Sequence, residues 1–412
     1  MKPIPKWTIA DSDKLYKISS WGSGYYSINE QGNMVVCPQG NKRRQIDLRL
    51  LVDELRRRNI HPPVLIRFMD ILQDRVKKLK SCFENARKEF EYEGGYYPVY
   101  PIKVNQQRQV VEAMIQAGRR VNLGLEVGSK PELLAVLALS PDYQSLIICN
   151  GYKDEEFIET ALYAKRLGKT IILVVEKLNE LEKIIAISKR VKVMPSIGIR
   201  IKLSHRGSGK WGDSAGDKSK FGLRVSEVIT AIRRLEANEM TEAFELIHVH
   251  IGSQISQIEE VKAAMTEVSR TYAELRKMNL NIKYVDVGGG LGIDYDGSSS
   301  RNTFSVNYTP QEYANDIIFS LKSVCKRDNL PQPHIITESG RALTAHYSVL
   351  ITNVIDQSTP QVTVADIKDP SSPPQLEEMR TIHRELSATN LRESYHDAMY
   401  LRKESLNLFN IG

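Results

Sequence analysis

The sequence predicts an α/β chain built as a (β/α)8, TIM-type barrel, with an N-terminal β-strand lead and a C-terminal helical segment. Three observations lead there. From about residue 96 a short apolar, β-branched run is followed by an amphipathic stretch of helical period, and this unit recurs until eight runs have been passed. Strands alternating with helices imply parallel pairing, and eight units imply a closed barrel, with an open doubly wound sheet as the competing arrangement. The span from 96 to about 350 also matches the roughly 250 residues typical of such barrels.

The elements follow in order. Residues 1–60 read as short strands, because SGYYSINEQGNMVVCP alternates around a Gln-Gly turn, and then as an amphipathic helix at Leu48–Arg57. The barrel is assigned to 61–354. Its strand runs are Tyr97–Ile102, Val121–Leu125, Ser145–Cys149, Thr170–Val175, Ser196–Ile201, Glu245–Val249, Lys283–Val287 and His334–Thr337. Between them, Asn105–Ala117 gathers Val110, Val111, Met114 and Ile115 on one face, and Glu155–Leu167 gathers Phe157, Ile158, Ala161 and Leu162. Gly118 and Gly168 stand where those helices would stop. Residues 355–375 are rich in Pro and Ser and read as a linker. From Leu376 a helical pattern runs almost to Gly412, giving a last segment at 376–412.

Composition excludes several functions. The chain has 57 Lys+Arg against 50 Asp+Glu, a net +7, and the excess is dispersed apart from Lys42–Arg44 and Arg56–Arg58. A nucleic-acid partner is therefore not expected, while an anionic small ligand is compatible. Cys37, Cys82, Cys149 and Cys325 are far apart and form no CxxC pair, against a disulfide framework or a structural zinc site. No apolar stretch of signal-peptide length opens the chain, and no run of about 18 apolar residues occurs. We expect a soluble, cytoplasmic protein with no membrane partner.

Barrel chemistry is built where strands end, so those positions can be named before any motif. They are Lys103, Glu126, Asn150, Glu176, Arg200, His248 with His250, Asp286 with Gly288–Gly290, and Glu338 with Gly340 and Arg341. The Gly288, Gly289 and Gly290 amides suit a phosphate, and Arg341 can add charge-assisted bonds. The dinucleotide fingerprint fails because Ile293 stands where its third glycine belongs. Lys103 follows the apolar run YYPVYPI, where desolvation would lower its pKa and make it a nucleophile toward an aldehyde. A lysine, a phosphate cradle and the Glu338 carboxylate together describe pyridoxal phosphate, with Glu338 keeping the pyridine nitrogen protonated. His248 and His250 share a strand face, a spacing also used by metal-binding barrels, and a metal-dependent hydrolase is the corresponding alternative.

These residues sit in motifs with a known likeness. YPIKVNQ, LEVGSKPEL, ICNGYKD, SKFGL, HVHIGSQ, VDVGGGLG and TESGRALTAH, in this order, resemble the biosynthetic arginine decarboxylases, pyridoxal-phosphate enzymes of the alanine-racemase-like barrel class. The resemblance covers about residues 8–412. It implies decarboxylation of L-arginine to agmatine and CO2 through a pyridoxal-phosphate Schiff base on Lys103, feeding polyamine biosynthesis. It further implies that His250 stacks on the cofactor ring and that Ser253, Gly288, Gly289, Gly290 and Arg341 hold the phosphate. Glu338 would pair with the pyridine nitrogen, and Glu126 and Arg200 would lie beside the cofactor. A substrate-binding stretch is implied over Val285, Asp286, Val287, Gly288, Gly289, Gly290, Leu291, Gly292, Ile293, Asp294 and Tyr295. Mg2+ is associated with the family, without a ligand that can be named, and the complete proteins are implied to be dimer-based homo-oligomers.

One feature departs from the likeness. Members of the family continue into a second β domain that carries a catalytic Cys beside acidic residues, whereas the four cysteines here precede Pro38, Phe83, Asn150 and Lys326. The expectation is an incomplete β domain and a truncated helical segment. A second reading follows from it: a catalytically impaired, cofactor-binding scaffold or subunit.

Overall fold

The computed structural model describes residues 7–41, 43–140, 145–203, 220–358, 373–387 and 389–408. Two compact units result, Arg67–Val349 and the pair of segments Met1–Ile66 with Leu350–Gly412.

The larger unit is the expected barrel. Its strands are β1 (Tyr96–Pro101), β2 (Gly124–Val127), β3 (Leu146–Cys149), β4 (Thr170–Val175), β5 (Ile197–Arg200), β6 (Phe244–His248), β7 (Tyr284–Asp286) and β8 (His334–Thr337). Each pairs in parallel with the next, and β8 pairs with β1 to close the ring. Alternate side chains point inward, so Val99, Leu146, Ile148, Ile172, Val174, Leu246 and Ile336 pack into one interior cluster. Gly124 and Gly198 make room for it: a Cβ on Gly198 would lie 2.7 Å from Leu246 Cδ2. Tyr97 and Tyr284 close the amino end of the cluster. The same period carries each strand's next inward residue to the carboxyl end, which is how the fold aims the polar residues at one place.

Three details differ from the sequence reading. The second strand begins at Gly124, not Val121, because Asn122 takes a left-handed φ of 56° after the preceding helix. That helix is Arg108–Gly118, starting later than Asn105 because the Asn105 carboxamide is used in a turn, accepting from Gln107 N–H at 3.0 Å. Gly118 is its last helical residue rather than a left-handed stop, whereas Gly168, after Glu155–Arg166, is left-handed at φ 92°.

In the smaller unit, Tyr26–Ile28, Met34–Val36 and Ile46–Asp47 form an antiparallel sheet, the first two strands flanking the Gln31-Gly32 turn read in the sequence. The helix Leu48–Arg57 has the expected bounds, with Asp47 accepting from Arg49 and Leu50 N–H at its start. Helices Ile9–Tyr16 and Ile18–Trp21 replace the strands expected at the chain start, the first opened by a reciprocal Thr8–Asp11 capping box. The single helical pattern after Leu376 is two helices, Pro374–Glu385 and Leu391–Leu408. Asn390 breaks it by accepting from Ser387 N–H at 2.7 Å and capping the second helix, its carbonyl taking Ser394 N–H. Most of the linker, 359–372, lies outside the described residues. Among those residues no helix is long and apolar enough to cross a membrane.

Candidate active site

The carboxyl ends of the strands assemble a buried ring. Glu126, Asn150, Glu176, Arg200, His248, Asp286 and Glu338 come from β2 to β8 in turn, and Lys103 from the short turn after β1. Asn150 is the hub, its Nδ2 donating to Glu126 Oε1 at 3.1 Å and to Glu338 Oε1 at 2.8 Å. Lys103 Nζ donates to the same Glu126 oxygen at 3.0 Å. The Lys103 side chain is 53% exposed, and its ammonium pairs with the fully buried Glu126 carboxyl. His248 Nδ1 stands 3.0 Å from Asp286 Oδ2 and 3.8 Å from Glu338 Oε1, the nearer approach not aligned as a hydrogen bond. Arg200 Nη1 donates to Glu176 Oε1 at 2.8 Å.

Electrostatics divides this ring in two. Burial raises the pKa of Glu338, Asp286 and Glu126, and neighbouring carboxyls reinforce it, Asp286 acting on Glu338 and Glu338 on Glu126. Three carboxyls this close cannot all ionise, so the group titrates as a unit. Burial likewise lowers His248 to about 4 and His250 to about 3, leaving both imidazoles neutral. On the other side, burial works to raise Glu176, but Arg200 and Lys153 outweigh it and hold the carboxylate ionised. Lys103 corrects the sequence expectation. Burial does pull its amine down, yet Glu126 and Glu338 more than compensate, so its pKa is raised.

Above the ring lies a cavity of about 340 Å³. Lys103, His250, Ser253, Gly289, Gly290, Glu338 and Arg341 all line it. Glu126 and Arg200 belong to the ring rather than to the cavity wall. Arg341, on the short helix Gly340–Thr344, donates to Ser253 Oγ at 3.3 Å and to Tyr295 OH at 3.2 Å. A larger groove of about 560 Å³ on the outer helices contains none of these residues.

The glycine run does a different job from the one read in sequence. Gly288 is left-handed at φ 68°, and a Cβ there would lie 2.3 Å from Val249 O. Its N–H is committed to Asp286 Oδ1 at 2.8 Å, and of the three glycines only Gly289 and Gly290 line the cavity. The expected substrate stretch also separates by face. Gly289, Gly290, Leu291 and Tyr295 line the cavity, whereas Val285, Val287 and Ile293 are buried in the wall and Asp286 joins the ring. Gly292 donates its N–H to Tyr308 OH, and Asp294 ties its own loop by accepting from Ser305 Oγ and Ser299 N–H. Nor do His248 and His250 act as a pair: His248 joins Asp286 and Glu338, whose ligand atoms lie within 4.8 Å of one another, while His250 faces the cavity.

Sequence reasoning missed two contributors. Gln254 clamps the glycine loop by accepting from Ile293 N–H at 3.0 Å and donating to Ile293 O at 2.6 Å. Ser339 lines the cavity with a buried, unpartnered Oγ. Both stand inside quoted motifs, Gln254 in HVHIGSQ and Ser339 in TESGRALTAH, and that membership was the available signal.

Against this geometry stand the comparisons. The family described as "Pyridoxal-dependent decarboxylase, pyridoxal binding domain" matches residues 76–345, and "Arginine decarboxylase helical bundle domain" matches 369–412. The biosynthetic arginine decarboxylases of Citrifermentans bemidjiense and Geobacter sp. (strain M21) are each 50% identical over 414 residues, 99% of this chain and 65% of theirs. The chain thus spans 65% of the length of those relatives. Among solved structures, the biosynthetic arginine decarboxylase of Campylobacter jejuni superposes with a TM-score of 0.75 at 35% identity, over 96% of this chain and 65% of that one. A diaminopimelate decarboxylase from M. jannaschii, at 22% identity, TM-score 0.64 and 79% and 69% coverage, shares the fold. Eight parallel strands that bring a lysine, an acid ring and an arginine corner together, and a family match spanning most of the barrel, lead to one conclusion: the chain belongs to the pyridoxal-dependent decarboxylases.

Proposed function

We propose that this chain carries the pyridoxal phosphate site of an L-arginine decarboxylase, releasing CO2 and agmatine and so feeding polyamine synthesis. The observation that carries the site is convergence: Lys103, Glu338 and Arg341 open into one cavity from β1 and β8, strands adjacent only because the barrel closes. The choice of arginine is supported by the 50% identity to arginine decarboxylases.

The residues present fit the cofactor. His250 Nδ1, Ser339 Oγ and Arg341 Nε are buried and unpartnered on the cavity wall. Polar atoms buried without partners are costly, and a phosphorylated, polar ring system offers them acceptors and donors. Arg341, Ser253 and the Gly289 and Gly290 amides would take the phosphate. Glu338, together with Asp286, would hold the charge and proton at the pyridine nitrogen. Bound there, the cofactor supplies an electron sink for the pair left when the carboxylate departs. Glu126 holds the Lys103 ammonium, which positions a proton for delivery to the substrate Cα. His250, neutral in its buried setting, presents an uncharged ring face.

Magnesium does not find a matching site. Among the described residues, His248, Asp286 and Glu338 are the one group of metal-ligand type gathered closely enough. They are fully buried with a nitrogen donor, whereas Mg2+ prefers oxygen ligands and keeps several waters. No step is assigned to it. A dimer-based assembly, a cytoplasmic location and the domain limits 1–60, 61–354, 355–375 and 376–412 complete the proposal.

Borohydride reduction of the chain with pyridoxal phosphate, followed by peptide mapping, tests the site: a single adduct on Lys103 is expected, and an adduct elsewhere or none overturns it. Agmatine formation from arginine, compared with product from ornithine and lysine, tests the substrate.

A further inference from the structure

We propose that a buried ion pair outside the cavity, Lys153 with Glu180, is a positioning device that sets Glu176 and, through it, the Arg200 guanidinium beside the cofactor site. The inference rests on the pyridoxal phosphate reading above. Lys153 and Glu180 are 0% and 1% exposed, with Nζ and Oε2 3.6 Å apart. Lys153 lies in the loop after β3 and Glu180 in the first turn of the helix Leu178–Val191 that follows β4. Lys153 Nζ also donates to Gly151 O at 2.5 Å, and its backbone N–H to Glu180 Oε1 at 3.3 Å.

Glu180 Oε2 accepts the N–H of Glu176 at 2.9 Å. From there the contacts run to the ring. Glu176 Oε1 receives Arg200 Nη1 at 2.8 Å, and Glu176 O receives Gly222 N–H at 3.0 Å. Glu176 is thus held by its amide, its carbonyl and its carboxylate, and its Oε2 is buried without a partner.

A helix cap alone does not account for this arrangement. Glu132 makes the same bond back to Gly128 N–H at 2.6 Å, so Glu180 could reach back to an N–H without a lysine being buried beside it. Burying two charges is expensive, and apolar residues of similar volume would serve stability as well. What apolar residues cannot supply is an acceptor that fixes the Glu176 amide. A displaced Glu176 would carry Arg200 with it, because the two share a charge-assisted bond. Arg200 in turn lies close enough to His250 to act on its charge.

Two variants of the full chain test the device, Glu180→Leu, which removes the acceptor for the Glu176 N–H, and the charge-free Lys153→Met with Glu180→Leu. The readouts are pyridoxal phosphate dissociation constant, the pH midpoint of the visible band of the Lys103 adduct, and melting temperature. Expected for both is about tenfold weaker cofactor binding, the scale of one lost hydrogen bond, with a displaced midpoint. The charge-free pair should melt close to wild type. A folded variant of either kind that binds cofactor with the wild-type constant and midpoint overturns the proposal. So does failure of both to fold, which would make the pair structural only. A wild-type chain that takes up no cofactor overturns the site reading together with this one, whereas wild-type uptake with an indifferent, folded Glu180→Leu overturns the positioning role alone.

Discussion

The two ends of the barrel are made by the same strands yet obey opposite rules. At the amino end, Tyr97, Tyr284 and His334 pack as aromatic neighbours, with Tyr97 and Tyr284 ring centroids 6.1 Å apart. His334 Nδ1 accepts Gly95 N–H at 2.8 Å, and Lys283 reaches Glu245 at 2.7 Å. At the carboxyl end, Glu126, Asn150, Glu176, His248, His250, Asp286, Ser339 and Arg341 each keep a buried polar atom without a partner. They are eight of the thirteen such atoms among the described residues. Unmet polar atoms are rare in folded proteins because each costs about 1–3 kcal/mol. Those on His250, Ser339 and Arg341 lie on the cavity wall, where a ligand, rather than the chain, can complete the bonding.

The sharpest break in this comparison comes from Lys103→Ala. Trapping of pyridoxal phosphate by borohydride should vanish, read as loss of the modified peptide by mass spectrometry. Thermal stability should fall modestly at neutral pH, since the buried Glu126 carboxyl loses the ammonium that pairs with it. An adduct persisting on another lysine would remove Lys103 from the site.

Ile336→Ala acts on the interior between the two ends. It empties a fully buried position in the barrel cluster and should cost about 2–5 kcal/mol in denaturant unfolding. Cofactor bound per folded molecule should stay at the wild-type level. A loss of binding in the folded fraction would mean that interior packing and mouth are not separable.

Glu338→Gln turns the mouth against stability. Its carboxyl is raised mainly by burial and by Asp286, so the folded state binds its proton more tightly than the unfolded state. For such a group stability is lost as pH rises from the ordinary glutamate range toward neutrality, where the folded chain must ionise it or hold a proton against the solvent. The cofactor-free variant should therefore melt higher than wild type at pH 8, by an amount equivalent to about 1–3 kcal/mol. The gap should close by about pH 4, where both side chains are neutral. His248 and His250 run the other way: their lowered pKa values cost stability as pH falls below about 6.5, so their effect does not mimic this one. A variant that melts no higher at pH 8 would show that the ring does not hold Glu338 in a strained protonation state.

How much of this was legible follows from what a residue's role depends on. Period-two alternation and strand endings are local, and they located Glu126, Asn150, Glu176, Arg200, His248, Asp286 and Glu338 around one ring. Lys103 was found the same way, but the direction of its pKa was not, because two carboxylates from β2 and β8 decide it. Gly288 reads as an anion-binding glycine until Val249 and Asp286 are seen to occupy its surroundings. The Lys153–Glu180 pair joins a loop to the first turn of a helix 27 residues on in sequence, and neither residue type announces burial. The helix break at Asn390 was readable in principle, since a Ser-x-x-Asn cap is local, but the apolar period runs through it and masks it.

The finest test separates the phosphate corner from the acid ring. Tyr295 stands at the cavity edge, 44% exposed, and its hydroxyl accepts from Arg341 Nη1 at 3.2 Å. The Arg341 guanidinium also lies 6.0 Å from the Tyr295 ring, so the aromatic contact survives when the hydroxyl is removed. Tyr295→Phe should then cost one partly exposed hydrogen bond, about 0.5–1 kcal/mol, read as two- to fivefold weaker cofactor binding by titration. The adduct's pH midpoint should stay put, because Tyr295 has no contact with the carboxyls that titrate. A moved midpoint with unchanged affinity would reverse that assignment, coupling Tyr295 to the ring instead of to the anion-binding corner.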